Sequence, residues 1–386
     1  MTSSIIAEIS RHSIREFSLP PVASISEVEH LSSYSWIEAS TPTIAVPGSP
    51  SLWSAPQGPR RLKKDSGLVY ISQNAARHPT SPLEPLFRAL YLESPSFNIH
   101  SIDVVTDRNN IRKLHSYISP TSNKYGLESF TINVEVINNT VLFCRTETKT
   151  QEIIGPHEFR GYGHELEKAY TRNHIRGSTG HHRLISYRFG GLKFVIRYEA
   201  DGYVAQETPQ DGKLPQDDDL SSMLSSLSLL PTEMSSGTIP VGSLLAVREE
   251  GTPVPHKSTL EIKTRVTHKP LEIRDVAPQL WVSQTPNLVR AYHDRGLFQK
   301  PVVENVSSEI KKWEDANQKD LRELAALISK IVAVVKDRGR NATITYDSKE
   351  DKLVICHVED SKMLPQDLYQ KWGGGIKDQP APAGGR

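Results

Sequence analysis

An α/β fold, with a mixed, curved central β-sheet flanked by helices, is predicted by three features of the sequence. Strand-like alternation fills 130–145 and 192–204. Apolar residues recur at helical spacing over 81–92, 107–117 and 308–336. The two patterns interleave along the chain rather than separating into blocks. Hydrophobic residues make up 37% of the 386, enough to pack one large domain or two ordinary ones.

Taken in order, residues 1–80 read as an irregular N-terminal wrap, rich in Ser and Pro over 1–60 with scattered Trp36 and Trp53. Leu83, Leu86, Leu90 and Tyr91 predict a helix over Ser81 to Leu92, and Ile111, Leu114 and Tyr117 another over Asp107 to Tyr117. Phe130 to Arg145 reads as a hairpin turning at Asn138-Asn139. Glu158 to Thr171 suits a helix; Leu184 to Tyr187 and Leu192 to Val204 suit paired strands joined by Gly190-Gly191. Composition then changes, and 206–242 reads as a disordered acidic, Ser-rich insertion. Order resumes over 243–372, which completes the domain begun at 81–205. It holds a strand at Ser258 to Val266, a helix at Gln279 to Gln284 and a strand at Leu288 to Tyr292. A long amphipathic helix at Ser308 to Lys336 and a hairpin (Ala342 to Tyr346, Lys352 to His357) follow. Residues 373–386 read as a disordered tail.

Charge narrows the function classes. The net charge of +1 excludes a globally basic coat for nucleic acid. Ala205 to Lys257 carries eight acidic and three basic residues, a local charge of −5, which leaves +6 on the rest and permits local phosphate binding. Two cysteines, Cys144 and Cys356, form no disulfide framework and fit a reducing compartment. No apolar run reaches the roughly 18 residues of a membrane helix, and Met1 to Arg15 has no signal-type core. An intracellular protein, nuclear or cytoplasmic and without a membrane partner, is expected.

The chemistry concentrates on two strands. Along Leu192 to Val204, alternation places Val195, Arg197, Glu199, Asp201 and Tyr203 on one face, with Leu192, Phe194, Ile196 and Tyr198 on the other. Carboxylates two residues apart stand roughly 7 Å apart at Cα, at about 3.3 Å rise per residue, suited to one divalent ion each or to bridging a pair. On Ser258 to Val266, Glu261 and Lys263 share a face while Leu260 and Ile262 turn to the core. The carboxylate would hold metal and the lysine would orient a water or a phosphate oxygen. Glu167, in Gly163-His164-Glu165-Leu166-Glu167, falls on a helix that can pack over this sheet. Mg²⁺ or Mn²⁺ prefers such hard oxygen donors, and four carboxylates plus substrate phosphate suffice for two ions. A helix Glu, then E-x-D, then E-x-K is the order of the PD-(D/E)xK nuclease superfamily, so a PD-(D/E)xK-like core is expected.

Over about residues 100–360 the chain resembles the DXO/Rai decapping-nuclease family. Thr106 to Leu114 looks like the segment of its first motif, with Arg108 as the arginine. Gly163 to Glu167, Glu199-Ala200-Asp201 and Glu261-Ile262-Lys263-Thr264 match the next three, and Leu280 to Pro286 followed by Leu288 to Tyr292 resembles the last. That last motif has glutamine two residues after tryptophan, where this chain has Ser283, so the role passes to Gln284 or Gln279. The resemblance implies a metal-dependent hydrolase of RNA 5′ ends, removing triphosphates or caps and in many members degrading RNA 5′ to 3′. It implies Arg108 and Gln284 as substrate contacts, an RNA 5′ end as partner and a 5′-3′ exoribonuclease as a second candidate partner. The alternatives are a non-catalytic RNA-end-binding adaptor that kept the fold, and a DNA nuclease of the same superfamily. Elsewhere, His181-His182 read as loop residues, His164 as an exposed helix residue, Trp281 as packing, and Arg60-Arg61 with Lys63-Lys64 as a solvated basic cluster.

Overall fold

Runs of β-branched and aromatic residues become strands largely where alternation places them. Phe130–Ile137 and Thr140–Thr146 form the expected hairpin, and Asn138 takes the positive φ of 52° that its two-residue turn needs. The structure is a computed structural model and describes residues 4–120, 127–205, 237–240, 242–359 and 362–373. Eleven described strands form one mixed sheet, in the order Ile5–Ser10, Lys352–His357, Asn341–Asp347, Phe130–Ile137, Thr140–Thr146, Val104–Asp107, Leu192–Ala200, Ser178–Phe189, Ser26–Ile37, Thr43–Gly48 and Ala246–Gly251. Val104–Asp107 runs parallel to both neighbours and feeds directly into the helix Arg108–Ile118.

The N-terminal residues correct the reading of an irregular wrap. Ile5–Ser10 pairs with Lys352–His357, and Ser26–Ile37 lies inside the sheet between Ser178–Phe189 and Thr43–Gly48. The serines that look loop-like are buried and satisfied there. Ser32 Oγ donates to Glu93 at 2.6 Å, and Ser33 Oγ donates to the Pro47 carbonyl at 2.8 Å. A bonded hydroxyl costs a strand little, so polar composition misleads here.

Both faces of this sheet are covered. On one, Ile111 and Leu114, Leu280 and Trp281, and Leu324 and Ile328 bring three helices against Phe194 and Ile196. On the other, Leu86, Phe87 and Leu90 of Glu84–Glu93 pack against Val105, Leu142 and Val195. Val195 therefore shares a buried face rather than a polar one. Trp281 packs as expected, edge-on to Phe189, with its Nε1 donating to Glu314 at 2.7 Å.

A second described sheet centres on the parallel pair Thr259–Val266 and Asn287–Asp294, and the helix Gly163–Tyr170 covers it through Leu166 and Tyr170. The strand from Leu192 does not run on to Val204. It ends at Ala200; the chain passes through Asp201 and re-enters as Gly202–Tyr203, paired with Thr259–Val266 in the second sheet. Glycine is required at the crossing, because a Cβ on Gly202 would stand 2.8 Å from the Ser51 carbonyl oxygen.

Other boundaries shift for local reasons. The expected helix at 308–336 is two, Ser307–Ala316 and Gln318–Arg338, broken where the Asn317 side chain bonds the Trp313 carbonyl at 2.7 Å in competition with the backbone. The helix before the strand Asn287–Asp294 is Ile273–Ser283, longer than expected and with Pro278 inside it. The helix carrying Glu167 starts at Gly163 rather than Glu158. The insertion at 206–242 and the tail at 373–386 lie almost wholly outside the described residues. Among those described, no helix is long and apolar enough to cross a membrane.

Candidate active site

Each acidic residue of the motif set arrives on a different stretch of backbone. Glu199 is the penultimate residue of its strand, Asp201 sits at the crossing between sheets, and Glu261 and Lys263 lie on Thr259–Val266. Glu167 projects from the helix Gly163–Tyr170. Arg108 is the first residue of the helix Arg108–Ile118. Asp107 immediately precedes that helix, and its carboxylate, which makes no capping bond, is gripped by Arg197 through two bonds of 2.6 and 3.0 Å. Arg197, 2% exposed, also donates to the Pro82 carbonyl.

Glu261 is the hub. It is 2% exposed and accepts from Arg108 Nη1 at 3.1 Å and, in very short contacts, from Lys263 Nζ and Gln279 Nε2. Burial alone would push its carboxyl up, but Lys263 and Arg108 outweigh burial and hold it at about 2. The other carboxylates move the opposite way. Burial and then the Glu261 charge push Asp201 up to about 7, against Lys263, the Ile262 N–H that donates to its Oδ2 at 2.7 Å, and Arg108. Burial and then Asp201 hold Glu167 well above the usual range, with Glu199 and Glu261 adding to the effect. Glu199, the most exposed of the four, is also raised, chiefly by the desolvation of its carboxyl and then, against Arg108, by Glu261. Carboxylates pushed apart in this way mark a functional site.

Lys263 stays charged, because Glu261 and Asp201 more than offset its burial. Arg108 stands over the Tyr198 ring at 5.5 Å and reaches Ser283 Oγ at 3.5 Å. Glu199 also depends on a glycine that sequence reading passed over. A Cβ on Gly180 would fall 2.7 Å from Glu199 Oε1 and 2.4 Å from Gln73 Oε1, so only glycine lets both approach the strand Ser178–Phe189.

Two expectations are corrected. Gln284 caps the helix Ile273–Ser283 in the left-handed conformation, with its amide turned onto the Trp281 carbonyl, so it does not face the carboxylates. Gln279, one turn earlier, takes that place against Glu261. His181 and His182 are no loop residues: both are 4% exposed in the strand Ser178–Phe189, His181 bonded to Ser35 and His182 stacked on Tyr34.

These two belong to a set of buried neutral histidines. Burial and then Arg183 pull His30 down to about 3 and His256 to about 4, burial pulls His115 to about 4, and burial holds His181 and His182 well below the usual range. In the unfolded chain each takes a proton near pH 6.5. The stability they contribute is therefore complete above pH 6.5 and lost as pH falls toward 4, at about 1.4 kcal/mol per unit of depressed pKa for each. Asp201, Glu167 and Glu199 act in the opposite sense, but they are three against five. The urea midpoint should fall steeply between pH 6.5 and 4; a flat or rising midpoint there would show that the histidines are not held neutral.

The donor chemistry fits a hard divalent cation: four carboxylates near enough to shift one another, three of them driven toward the protonated state by burial and then by like charge. Among the described residues, however, no group of three or more His, Cys, Asp or Glu side chains is placed to hold one ion, and the oxygens of Glu261 are taken by Arg108, Lys263 and Gln279.

A family model described as a domain of unknown function (DUF8563) matches residues 3–372. The chain belongs to that family. No curated protein matches the sequence. The fold, by contrast, has solved counterparts. Candida albicans Rai1 in complex with pU5-Mn2+ aligns at a TM-score of 0.57 and 11% identity, over 97% of this chain and 99% of that one. S. pombe Rai1 aligns at 0.55 and 13%, over 92% and 99%. Scheffersomyces stipitis Rai1 in complex with (3'-NADP)+ and calcium ion aligns at 0.55 and 12%, over 92% and 97%. This DUF8563 chain thus has the Rai-type fold that its motifs resemble, a mixed α/β arrangement of curved sheet and flanking helices.

Proposed function

We propose that the protein is a metal-dependent hydrolase of RNA 5′ ends. The observation that carries this reading is the convergence of Glu167, Glu199, Asp201 and Glu261 with Lys263 and Arg108 where the two sheets meet, with pKa values driven in opposite directions. An ordinary charged sheet face has no reason to gather such repulsion around one buried carboxylate. The pU5-Mn2+ and calcium complexes of proteins with this fold support the choice of a divalent ion and an RNA end.

Glu167, Glu199, Asp201 and Glu261 would hold two Mg²⁺ or Mn²⁺ ions, which when bound supply activation of water and stabilisation of the leaving oxygen. The chain's own groups do the rest. Lys263, held charged, neutralises a phosphoryl oxygen or orients the attacking water. Arg108 offers its free guanidinium edge to a 5′ phosphate. Gln279 fixes the rotamer of Glu261, as supporting side chains do around functional carboxylates.

A non-catalytic end-binding protein is the second reading, and one observation favours it: the lack, among the described residues, of three ligands placed around one point. Product analysis separates the two. RNAs with 5′-triphosphate, unmethylated-cap or 5′-monophosphate ends, and DNA of the same sequence, are incubated with Mn²⁺ and either wild type or Glu199→Ala/Asp201→Ala. Release of pyrophosphate, cap dinucleotide or nucleotides from RNA by wild type alone is expected. Binding by both proteins with product from neither would establish the adaptor; equal cleavage of DNA would remove the RNA preference.

A further inference from the structure

Of the four carboxylates, Glu167 is the one whose place depends on a helix. Glu199 and Glu261 are held by strand ladders, and Asp201 by the Ile262 N–H. The carboxylate of Glu167 has no hydrogen bond or ion pair among the described residues. Asp201, Glu199 and Glu261 repel it, against the pull of Lys263. Its position is therefore set by the helix Gly163–Tyr170, which is only eight residues long. A helix that short is marginal on its own, and the flanking Tyr162 gives it no side-chain cap. Glycines at 161 and 163 loosen the start further, Gly161 at a φ of 127°.

The missing cap comes from outside the element. Asp65 lies one hundred residues before Glu165 and is 5% exposed. Its Oδ1 accepts the Glu165 N–H at 3.0 Å, one of the first-turn donors that no helical carbonyl can reach. Its Oδ2 lies against Gly161 and Gly163, 3.8 and 3.9 Å from where their Cβ atoms would stand. Its own N–H donates to the Gly161 carbonyl at 3.0 Å, so the helix entry is gripped in both directions. The segment before Asp65 is anchored in turn to the smaller sheet, where the Leu62 N–H donates to the Gly296 carbonyl at 2.9 Å. Although Lys63 and Lys64 precede it, Asp65 has no ion-pair partner among the described residues. A buried carboxylate needs compensating positive charge, and the one it meets is the positive end of the helix.

We infer that Asp65 is a positioning residue for Glu167: it clamps the helix start to the smaller sheet and so keeps Glu167 among the other acids, without touching substrate. The inference rests on the hydrolase reading for its effect on turnover, whereas the clamp itself is independent of that reading. Removing the clamp frees the first turn, lets Glu167 withdraw from like charge, and lowers affinity for a divalent ion held by the four carboxylates together.

The test uses the full chain with Asp65→Ala and Asp65→Asn. Ser33→Ala, which loses a hydrogen bond in the larger sheet, is the control for general destabilisation. Three quantities are measured: amide hydrogen exchange over 163–171 without metal, Mn²⁺ affinity by calorimetric titration, and steady-state hydrolysis of 5′-triphosphate RNA. Asp65→Ala should speed exchange in that segment and weaken Mn²⁺ binding, each by about five- to tenfold, the factor expected on losing a helix cap. It should lower kcat and leave KM for RNA unchanged. Asp65→Asn keeps an oxygen for the Glu165 N–H and should lie between wild type and Asp65→Ala; it carries the test if Asp65→Ala fails to fold. Exchange equal to wild type in the Asp65 variants, Mn²⁺ affinity no weaker than in Ser33→Ala, or a loss confined to KM would each overturn the inference. If wild type neither binds Mn²⁺ nor hydrolyses RNA, faster exchange in the Asp65 variants keeps the clamp and removes the hydrolase reading instead.

Discussion

Asp201→Asn is expected to lower hydrolysis of RNA 5′ ends by about 10²–10³-fold or more, the scale set by deleting one preorganised catalytic group, and at the same time to stabilise the fold. The carboxyl of Asp201 is pushed up to about 7 by burial and by Glu261. A raised acid binds its proton more tightly folded than unfolded, so its cost is absent below its ordinary value near 4 and complete above about 7. The amide keeps the shape without the charge. Its stabilising effect should therefore be small at pH 5 and larger at pH 8, on the order of 1.4 kcal/mol per unit of relieved shift. Mn²⁺ should raise the melting temperature of wild type more than that of Asp201→Asn, since only the wild type has the repulsion for a cation to relieve. Thermal melts at the two pH values, with and without Mn²⁺, read this independently of turnover. A variant that loses stability at pH 8, or keeps its activity within tenfold, would remove Asp201 from the site. Such a trade, function bought with instability, is common where like charges are held together.

The second large effect concerns the buried pair Arg197–Asp107. Asp107→Leu leaves a guanidinium at 2% exposure without its anion, and should cost about 3–5 kcal/mol. Arg197→Met strands Asp107 and should cost a similar amount. The double variant Asp107→Leu/Arg197→Met removes both charges and should regain most of the loss, because an apolar pair avoids the desolvation that the ion pair has to overcome. Urea midpoints for the four proteins close the cycle. Additive losses would mean that the two side chains act separately.

The motif strands, the long apolar helices and the hairpins were legible because each carries a periodicity that one residue in error would destroy. Glu199, Asp201, Glu261, Lys263 and Arg108 were legible through their motif order. What periodicity does not encode is where a strand changes sheets. Alternation from Leu192 to Val204 continues unbroken through Asp201, and only the near-contact of Gly202 with the Ser51 carbonyl oxygen marks the crossing. Nor does composition show whether a serine is bonded, which hid the strand Ser26–Ile37. The choice between Gln284 and Gln279, which the sequence left open, turns on helix geometry. Sequence spacing from Trp281 points forward to Ser283 or Gln284, but on a helix positions 279 and 283 are four apart and share a face. Glutamine one turn earlier therefore reaches Glu261 over the side on which Ser283 meets Arg108. Gly180 left no signal beyond being a glycine in a strand.

The passage of the chain from one sheet to the other at Asp201 makes the candidate site a joint. Glu199 is carried by the large sheet, Glu261 by the smaller one, and Asp201 is the pin between them. The distance between the first two acids is consequently set by the dihedral angle at which the sheets meet, and the rise of a single strand does not fix it. A ligand that bridges Glu199 and Glu261 works as a clasp: it fastens two plates as well as filling a hole, and the aperture of the cleft and the spacing of its ligands become one mechanical variable.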